Sequence, residues 1–474
     1  MEEVVFMKNN KTKHVLQLAL VLIVGLLIGL FMRINLHTNI PLLTNGGKLN
    51  TMFDGVYSII EENWVNTSEE DVDLQTAAIS GFLNQLPDPH TTYFSQEDLE
   101  TFTSTVDGSF AGIGVTFSMK QAGGYISSVM QETPASLAGL EPGDLIIEVD
   151  GTSIEGMTAS EVKELVAGKE GTNVEIGILR NNVKKYFSIT RRRIDSSVTY
   201  EIREDKIGYL DINTFGTMTD QSIEKALQYF KSKHIDTLII DLRDNTGGYL
   251  SSVQNVLGLF LKKDTLLFSI QEKTGPAIEY KSLNDTPYLF KQGYILINNN
   301  TASASEVMAG ALSEQLDYTL VGKTTYGKGT AQTTMMLTDL TSIKYTYAKW
   351  LLPSGKCING IGLEPDVKID EMELSDYFII NFDEPKTIEF DIVSGDVANM
   401  QMMLETIGYN PIRTDGYFDR NTETLLQQFE ADHDLTVDGK LSKQDYLELE
   451  EALVSYYSDL KHDQWYQYIL DEMR

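Results

Sequence analysis

The stretch Asn300 to Leu312, NTASASEVMAGAL, sets three hydroxyls at every second residue, Thr301, Ser303 and Ser305, just ahead of a helical pattern. A hydroxyl there has two uses. As a cap, Ser303 forms an SxxE box with Glu306, and Met308, Leu312 and Leu316, with Val307 and Ala311 beside them, make a buried helical stripe behind it. As a nucleophile, a serine needs a base within reach. On these residues alone both readings stand.

Histidine is the usual base, yet none of the six lies in a motif near these hydroxyls. His14 adjoins an apolar run, His37 lies in a tether, His90 in a DPH turn, His234 at a helix-to-strand turn, and His433 and His462 in the C-terminal part. Lysine is the better candidate. VGKTTYGKGTAQ puts Lys328 between Gly327 and Gly329, with Gln332 four residues on. A basic lysine must be neutral, and moving its pKa from about 10.4 toward 7 takes roughly 4 to 5 kcal/mol, which burial can supply. Gln332 can hold the amine through its carbonyl oxygen without adding charge. A solvated turn lysine and a strand-surface glutamine fit the same two residues. No CxxC or HExxH pattern supports a metal, and no cofactor is expected.

The elements that must position these groups follow from the rest of the chain. Its 474 residues, 42% hydrophobic, exceed one core and suggest three or four domains. A net charge of −31 argues against nucleic acid as a partner. The single Cys357 forms no internal disulfide. Val15 to Met32 is an 18-residue run without charge, preceded by Lys8, Lys11 and Lys13. It reads as an uncleaved signal anchor at 14–33, with a cytoplasmic tail at 1–13 and the remainder outside the cell membrane. A cleaved signal is the alternative. Residues 34–103 read as tether and helical scaffold, 104–194 as a strand-rich unit with one helix from Thr158 to Ala167, and 195–370 as alternating strands and helices, the mark of an α/β layer. An acidic connector at 371–395, a helical segment at 396–455 and an acidic aromatic tail at 456–474 complete a multidomain α/β and α+β chain.

FAGIGVTF followed by GLEPGDLIIEVDG resembles a PDZ domain. The resemblance implies that the loop Gly112, Ile113, Gly114 and Val115 offers amides to a terminal carboxylate, beside an apolar pocket made by Val162, Leu165 and Val166. Protein C-terminal tails are then the partner.

SASE, then the lysine of GKG 25 residues beyond Ser303, then glutamine four further on, resembles the carboxy-terminal processing proteases. LPDPHTTYF, DLRDNTGG and GIGLEPDV extend the likeness over roughly residues 50 to 370. It implies a crotonase/Clp-like core with Ser303 as nucleophile, Lys328 as general base and Gln332 orienting it. Thr301 and Ser305 become supports. The oxyanion would be held by the backbone of Ala304 and of Gly247 or Gly248. Related enzymes often carry an arginine where this chain has Ala167, with Lys163 and Lys169 as nearby cations, and their resting state needs PDZ movement to align the serine and lysine.

Residues 396–453 resemble a short three-helix peptidoglycan-binding domain, which implies a Gram-positive envelope; Tyr409, Arg413 and Tyr417 are its candidate contacts. The expected function is an anchored extracytoplasmic serine endopeptidase; the alternative is an inactive scaffold holding exported proteins. Helices at both ends of the outer portion are compatible with a homodimer.

Overall fold

In the central sheet, alternate residues of three apolar strands face opposite sides. Leu238 and Ile240 of strand Thr237–Asp241 and Ile295 and Ile297 of strand Gln292–Ile297 pack with Leu210 and Ile212 on one face, while Tyr209, Ile239, Tyr294, Leu296 and Val321 pack on the other. Strands buried on both faces read as unbroken apolar runs, which is why IDTLIIDL shows no alternation. The computed structural model describes residues 48–63, 73–120, 123–130, 133–204, 206–337, 341–382 and 388–474. The sheet runs Val198–Arg203, Ile207–Ile212, Thr237–Asp241, Gln292–Ile297, Thr319–Gly322, Val367–Lys368; its first pair is antiparallel and the rest are parallel. Helices Thr219–Ser232, Leu250–Phe260 and Ala304–Leu316 cover the first face.

A second, antiparallel sheet stands beside this layer. Its long strand Ser342–Leu351 pairs with Thr330–Met336, Leu266–Glu272 and the short strand Thr92–Phe94. The sheet brings Gln332 and the DPHTTYF stretch to one place.

The strand-rich unit is a sheet in the order Val115–Lys120, Gly123–Val129, Leu145–Val149, Asn173–Arg180, Val183–Thr190, around its own core of Ile126, Ile146, Ile176 and Ile178. Its long helix, Ala159–Val166, starts from the capping box expected at Thr158: the Glu161 carboxylate accepts the Thr158 N–H at 2.7 Å, and the Thr158 hydroxyl accepts the Glu161 N–H at 3.3 Å. Two features differ from the sequence reading. The preceding helix Gln96–Asp107 runs past residue 104 and ends only at Gly108, whose φ of 59° is left-handed. A second helix, Pro134–Ala138, is five residues long with proline in its first turn, too short for periodicity to show.

Helices Gly395–Thr406, Arg420–Asp432 and Lys443–Ser458 pack around Met400, Leu404, Phe418, Leu426 and Phe429. Part of the expected connector belongs to this core, since Ile380 and Ile388 are buried in it. The acidic aromatic tail is a helix, Gln464–Glu472, whose Trp465, Tyr466 and Ile469 lie in the cluster covering the second face of the central sheet.

The described residues up to Gln85 form a separate unit. Its described part holds helices Lys48–Asn63 and Leu74–Asn84. The expected tail and anchor, 1–13 and 14–33, lie outside the described residues; among those described, no helix is long and apolar enough to cross a membrane.

The C-terminal helix is thus a structural layer of the core. Trp465→Ala, at a side chain 1% exposed, should cost about 3 to 5 kcal/mol, read as a lower denaturant midpoint. An unchanged midpoint would show that the helix adds nothing to the sheet.

Candidate active site

Ser303 sits at a corner that glycine ordinarily takes. Its φ of 58° and ψ of −119°, with the Ser305 N–H bonded to the Ala302 carbonyl at 3.2 Å, describe a type II′ turn with serine at its first central position. Such backbone costs on the order of 1 to 3 kcal/mol for a residue with a β-carbon, and persists where surroundings enforce it. Here they do. The Ala302 N–H donates to the Asn245 carbonyl at 3.0 Å, the Ser305 hydroxyl to the same carbonyl at 3.0 Å, and the Thr301 hydroxyl to the Leu242 carbonyl at 2.8 Å. Thr301 and Ser305 are fully buried, so both are committed to holding the corner. Ser303 is half-buried and its side chain makes no cap hydrogen bond. Of the capping box, the glutamate's half has hydrogen-bond geometry, the Ser303 N–H reaching Glu306 Oε2 at 2.8 Å.

Glu306 does more than cap. Its buried carboxylate also accepts the Thr325 hydroxyl at 2.5 Å, the Gly327 N–H at 2.7 Å and the Lys328 N–H at 2.8 Å. Burial pushes its pKa up, while the four donors pull it down. One side chain therefore ties the Ser303 corner to the strap that carries Lys328. Gly327, at φ 87°, and Gly329 give that strap close passage; a β-carbon on Gly329 would lie 2.7 Å from Asn359 backbone and side chain.

Ser303, Lys328, Gln332, Gly247, Gly248 and Lys344 line one cavity of about 550 Å³. No hydrogen bond joins the Ser303 hydroxyl to the Lys328 amine among the described residues, and that amine has no anionic partner within salt-bridge distance. Burial lowers the Lys328 pKa, and the positive charge of Lys344 lowers it further; Glu306 and Asp88 act the other way. Lys344 is held over the rings of Phe94 and Phe102, at 5.2 and 4.3 Å from their centroids. Gln332 donates its amide N–H groups to the hydroxyls of Thr330 and Thr346 at 3.0 and 3.1 Å, which leaves its carbonyl oxygen as the acceptor the site can use. Thr346 is held in turn by Thr91, and Thr91 by Asp88 at 2.6 Å. His90, placed away from the site by sequence, lies close enough for Lys328 to lower its pKa, after burial as the larger cause.

The loop Asp241–Gly248 closes the cavity's other wall. Asn245 is fully buried; it donates to the Ile212 carbonyl and accepts the Gly247 N–H at 2.8 Å. Gly247 is therefore committed, whereas the Gly248 N–H has no acceptor among the described residues. Gly247 is glycine for contact reasons: a β-carbon would meet the Ser303 β-carbon at 2.8 Å and the Ala304 nitrogen at 2.9 Å. Ala304 supplies the first amide of its helix, which has no intrahelical acceptor. Arg243 anchors the loop from below, bonded to Asp241 at 2.6 Å and to Asp463 at 2.9 Å, with Trp465 under its guanidinium. Sequence reasoning missed Glu306 as a link, Lys344 and the Arg243–Asp463 pair; only partners distant in the chain reveal them.

A second cavity, about 560 Å³, lies between the edge strand Val115–Lys120 and helix Ala159–Val166. Gly112, Ile113, Gly114, Val115 and Val166 line it. Val162 and Leu165 do not: Val162 is fully buried in the domain core and Leu165 packs against it. The helix face toward the cavity is Ala159, Lys163, Val166 and Ala167, the spacing that brings residues onto one side. Near Ala167, Arg191 donates to the carbonyls of Val166 and Leu165 at 2.8 and 3.0 Å, so an arginine between strands Val183–Thr190 and Arg192–Asp195 secures this helix end.

The profile of peptidase family S41 matches residues 206–369, that of a PDZ domain residues 125–180, and that of a peptidoglycan binding domain residues 393–463. The chain is 32% identical over 425 residues to the carboxy-terminal processing protease CtpB of Bacillus subtilis, covering 88% of this chain and 87% of that protein. With CtpA of the same organism it shares 33% over 389 residues, 81% of this chain and 82% of that one.

Two outcomes test the geometry. Ser303→Gly should raise thermal stability by about 1 kcal/mol by releasing the corner, whereas Ser303→Ala should not; equal melting temperatures would contradict the strain. Lys344→Met removes a positive neighbour, so the Lys328 pKa rises and the acidic limb of the kcat/KM profile moves to higher pH. A stationary or downward limb would show that Lys344 does not tune it.

Proposed function

Since the chain belongs to the carboxy-terminal processing proteases, serine endopeptidases of peptidase family S41, we propose that it cleaves exported proteins by a Ser303–Lys328–Gln332 mechanism after capturing their C-terminal tails in its PDZ groove. What carries this reading is the shared cavity, which joins the one hydroxyl of three left free of structural bonds to a desolvated lysine that forms no ion pair among the described residues.

Neutral Lys328 takes the Ser303 proton as the oxygen attacks the peptide carbonyl, and returns it to the leaving amine. The oxyanion is held by the N–H groups of Ala304 and Gly248, the two unengaged amides beside Ser303, with the helix N-terminus adding a favourable field. Water, deprotonated by the same lysine, then releases the acyl group. Gln332 offers its carbonyl oxygen to Lys328 and so aims the amine without adding the negative charge that would restore the ammonium. Because the serine and lysine are not hydrogen-bonded at rest, tail capture by the PDZ domain is the step that brings them together. The N-terminal apolar run anchors the enzyme with its catalytic part outside the membrane, and the C-terminal domain holds it against the cell wall.

Incubation with an unfolded protein bearing an apolar C-terminal tail tests the chemistry. Ser303→Ala and Lys328→Ala should each lower turnover by about a thousandfold or more. Lys328→Arg should be equally inactive, because arginine keeps its proton. Cleavage by any of the three at the wild-type rate would sink the mechanism.

A further inference from the structure

The PDZ groove holds one charge that the domain's own fold does not use. Of the residues lining it, Lys163 alone is ionisable; it is exposed and takes part in no ion pair among the described residues. Two other cations of this unit are committed. Arg191 spends its donors on Val166, Leu165, Thr172 and Asn173, and Lys120, at the end of the edge strand, pairs with Glu451 at 3.2 Å. Glu161, on the same helix, is bound to Thr158.

The position of Lys163 along a bound tail follows from the geometry. The Gly168 N–H bonds to the Ala111 carbonyl at 3.2 Å, so the C-terminal end of helix Ala159–Val166 adjoins the Gly112–Val115 loop. There the N–H groups of Ile113 and Gly114 have no acceptor among the described residues, and both residues are buried. A terminal carboxylate satisfying them places the last side chain against Val166 and Ala167. The tail then runs antiparallel to strand Val115–Lys120, the sheet's edge, and its third residue from the end faces the helix again, about 7 Å further back. Along the helix, Lys163 lies about 4.5 Å back from Val166 and Ala159 about 10.5 Å. The third side chain therefore falls between them, within reach of a lysine stem.

Resting on the tail-capture reading above, we propose that Lys163 is a specificity-determining residue that selects protein tails ending in an apolar residue with an acidic side chain, Asp or Glu, third from the end. Excess negative charge over the whole chain, −31, would repel such tails elsewhere, and the lysine supplies local attraction at this one place.

The test uses the full chain carrying Ser303→Ala, so that nothing is cut, and labelled ten-residue tails that end in valine and differ only at the third residue from the end: Asp, Ala or Lys. Fluorescence anisotropy should show the Asp tail binding about three- to fivefold more tightly than the Ala tail, the Lys tail most weakly, and the differences shrinking at high salt. Adding Lys163→Glu should reverse the order, and adding Lys163→Met should equalise the three while leaving the Ala tail bound. Equal affinity of all three tails for Lys163-containing protein overturns the lysine's role and leaves tail capture standing. Failure of every tail to bind that protein overturns tail capture itself.

Discussion

The Glu306 carboxylate is the point through which the site is assembled. Four donors from two segments about twenty residues apart converge on it, the Ser303 amide on one side and Thr325, Gly327 and Lys328 on the other. A buried carboxylate with its acceptor positions filled resists displacement, because removing any donor exposes charge to a low-dielectric interior. The arrangement holds the backbone of Ser303 and Lys328 and leaves their side chains out of the network. The serine and lysine can thus be close, unbonded and still confined to one cavity.

Charge around that cavity follows the same economy. Lys328 shares its cavity with glycines, hydroxyls and the Gln332 amide, and a charge of its own sign that acts on it, Lys344, lies over two phenylalanine rings. An acidic residue in place of Gln332 would stabilise the ammonium, whereas a neutral amide adds no charge to the cavity. Asn245 works similarly on the opposite wall, using both ends of its amide to fix the glycine loop in a setting where charge would be costly.

How much of this the sequence disclosed depended on the range of the interaction. The family resemblance singled out Ser303 among Thr301, Ser303 and Ser305, and burial sets it apart as well: two vanish into the fold and one does not. The strand and helix alternation was legible because the central strands are apolar on both faces. Which of the Gly247 and Gly248 amides is bonded was not, since it turns on the side chain of Asn245. Val162 was misassigned to the peptide groove because an apolar residue on a short amphipathic helix can face either way, and only the packed sheet shows which side is inside. The last helix was hidden by its charges: WYQYILDE has apolar residues enough for one face, but nothing local says that a face of a distant sheet awaits it.

That last helix bears on when the enzyme becomes competent. Tyr209, Tyr294 and Leu296 belong to strands completed some 170 residues before Trp465 arrives, and the Arg243 beneath the glycine loop gains its second carboxylate only with Asp463. During synthesis the upstream domains are free to fold as they emerge, whereas the protease layer stays uncovered on one side until helix Gln464–Glu472 has emerged. The layer is therefore closed only after a long delay along the chain, and a protein lacking helix Gln464–Glu472 would carry Ser303, Lys328 and Gln332 on an unfinished core.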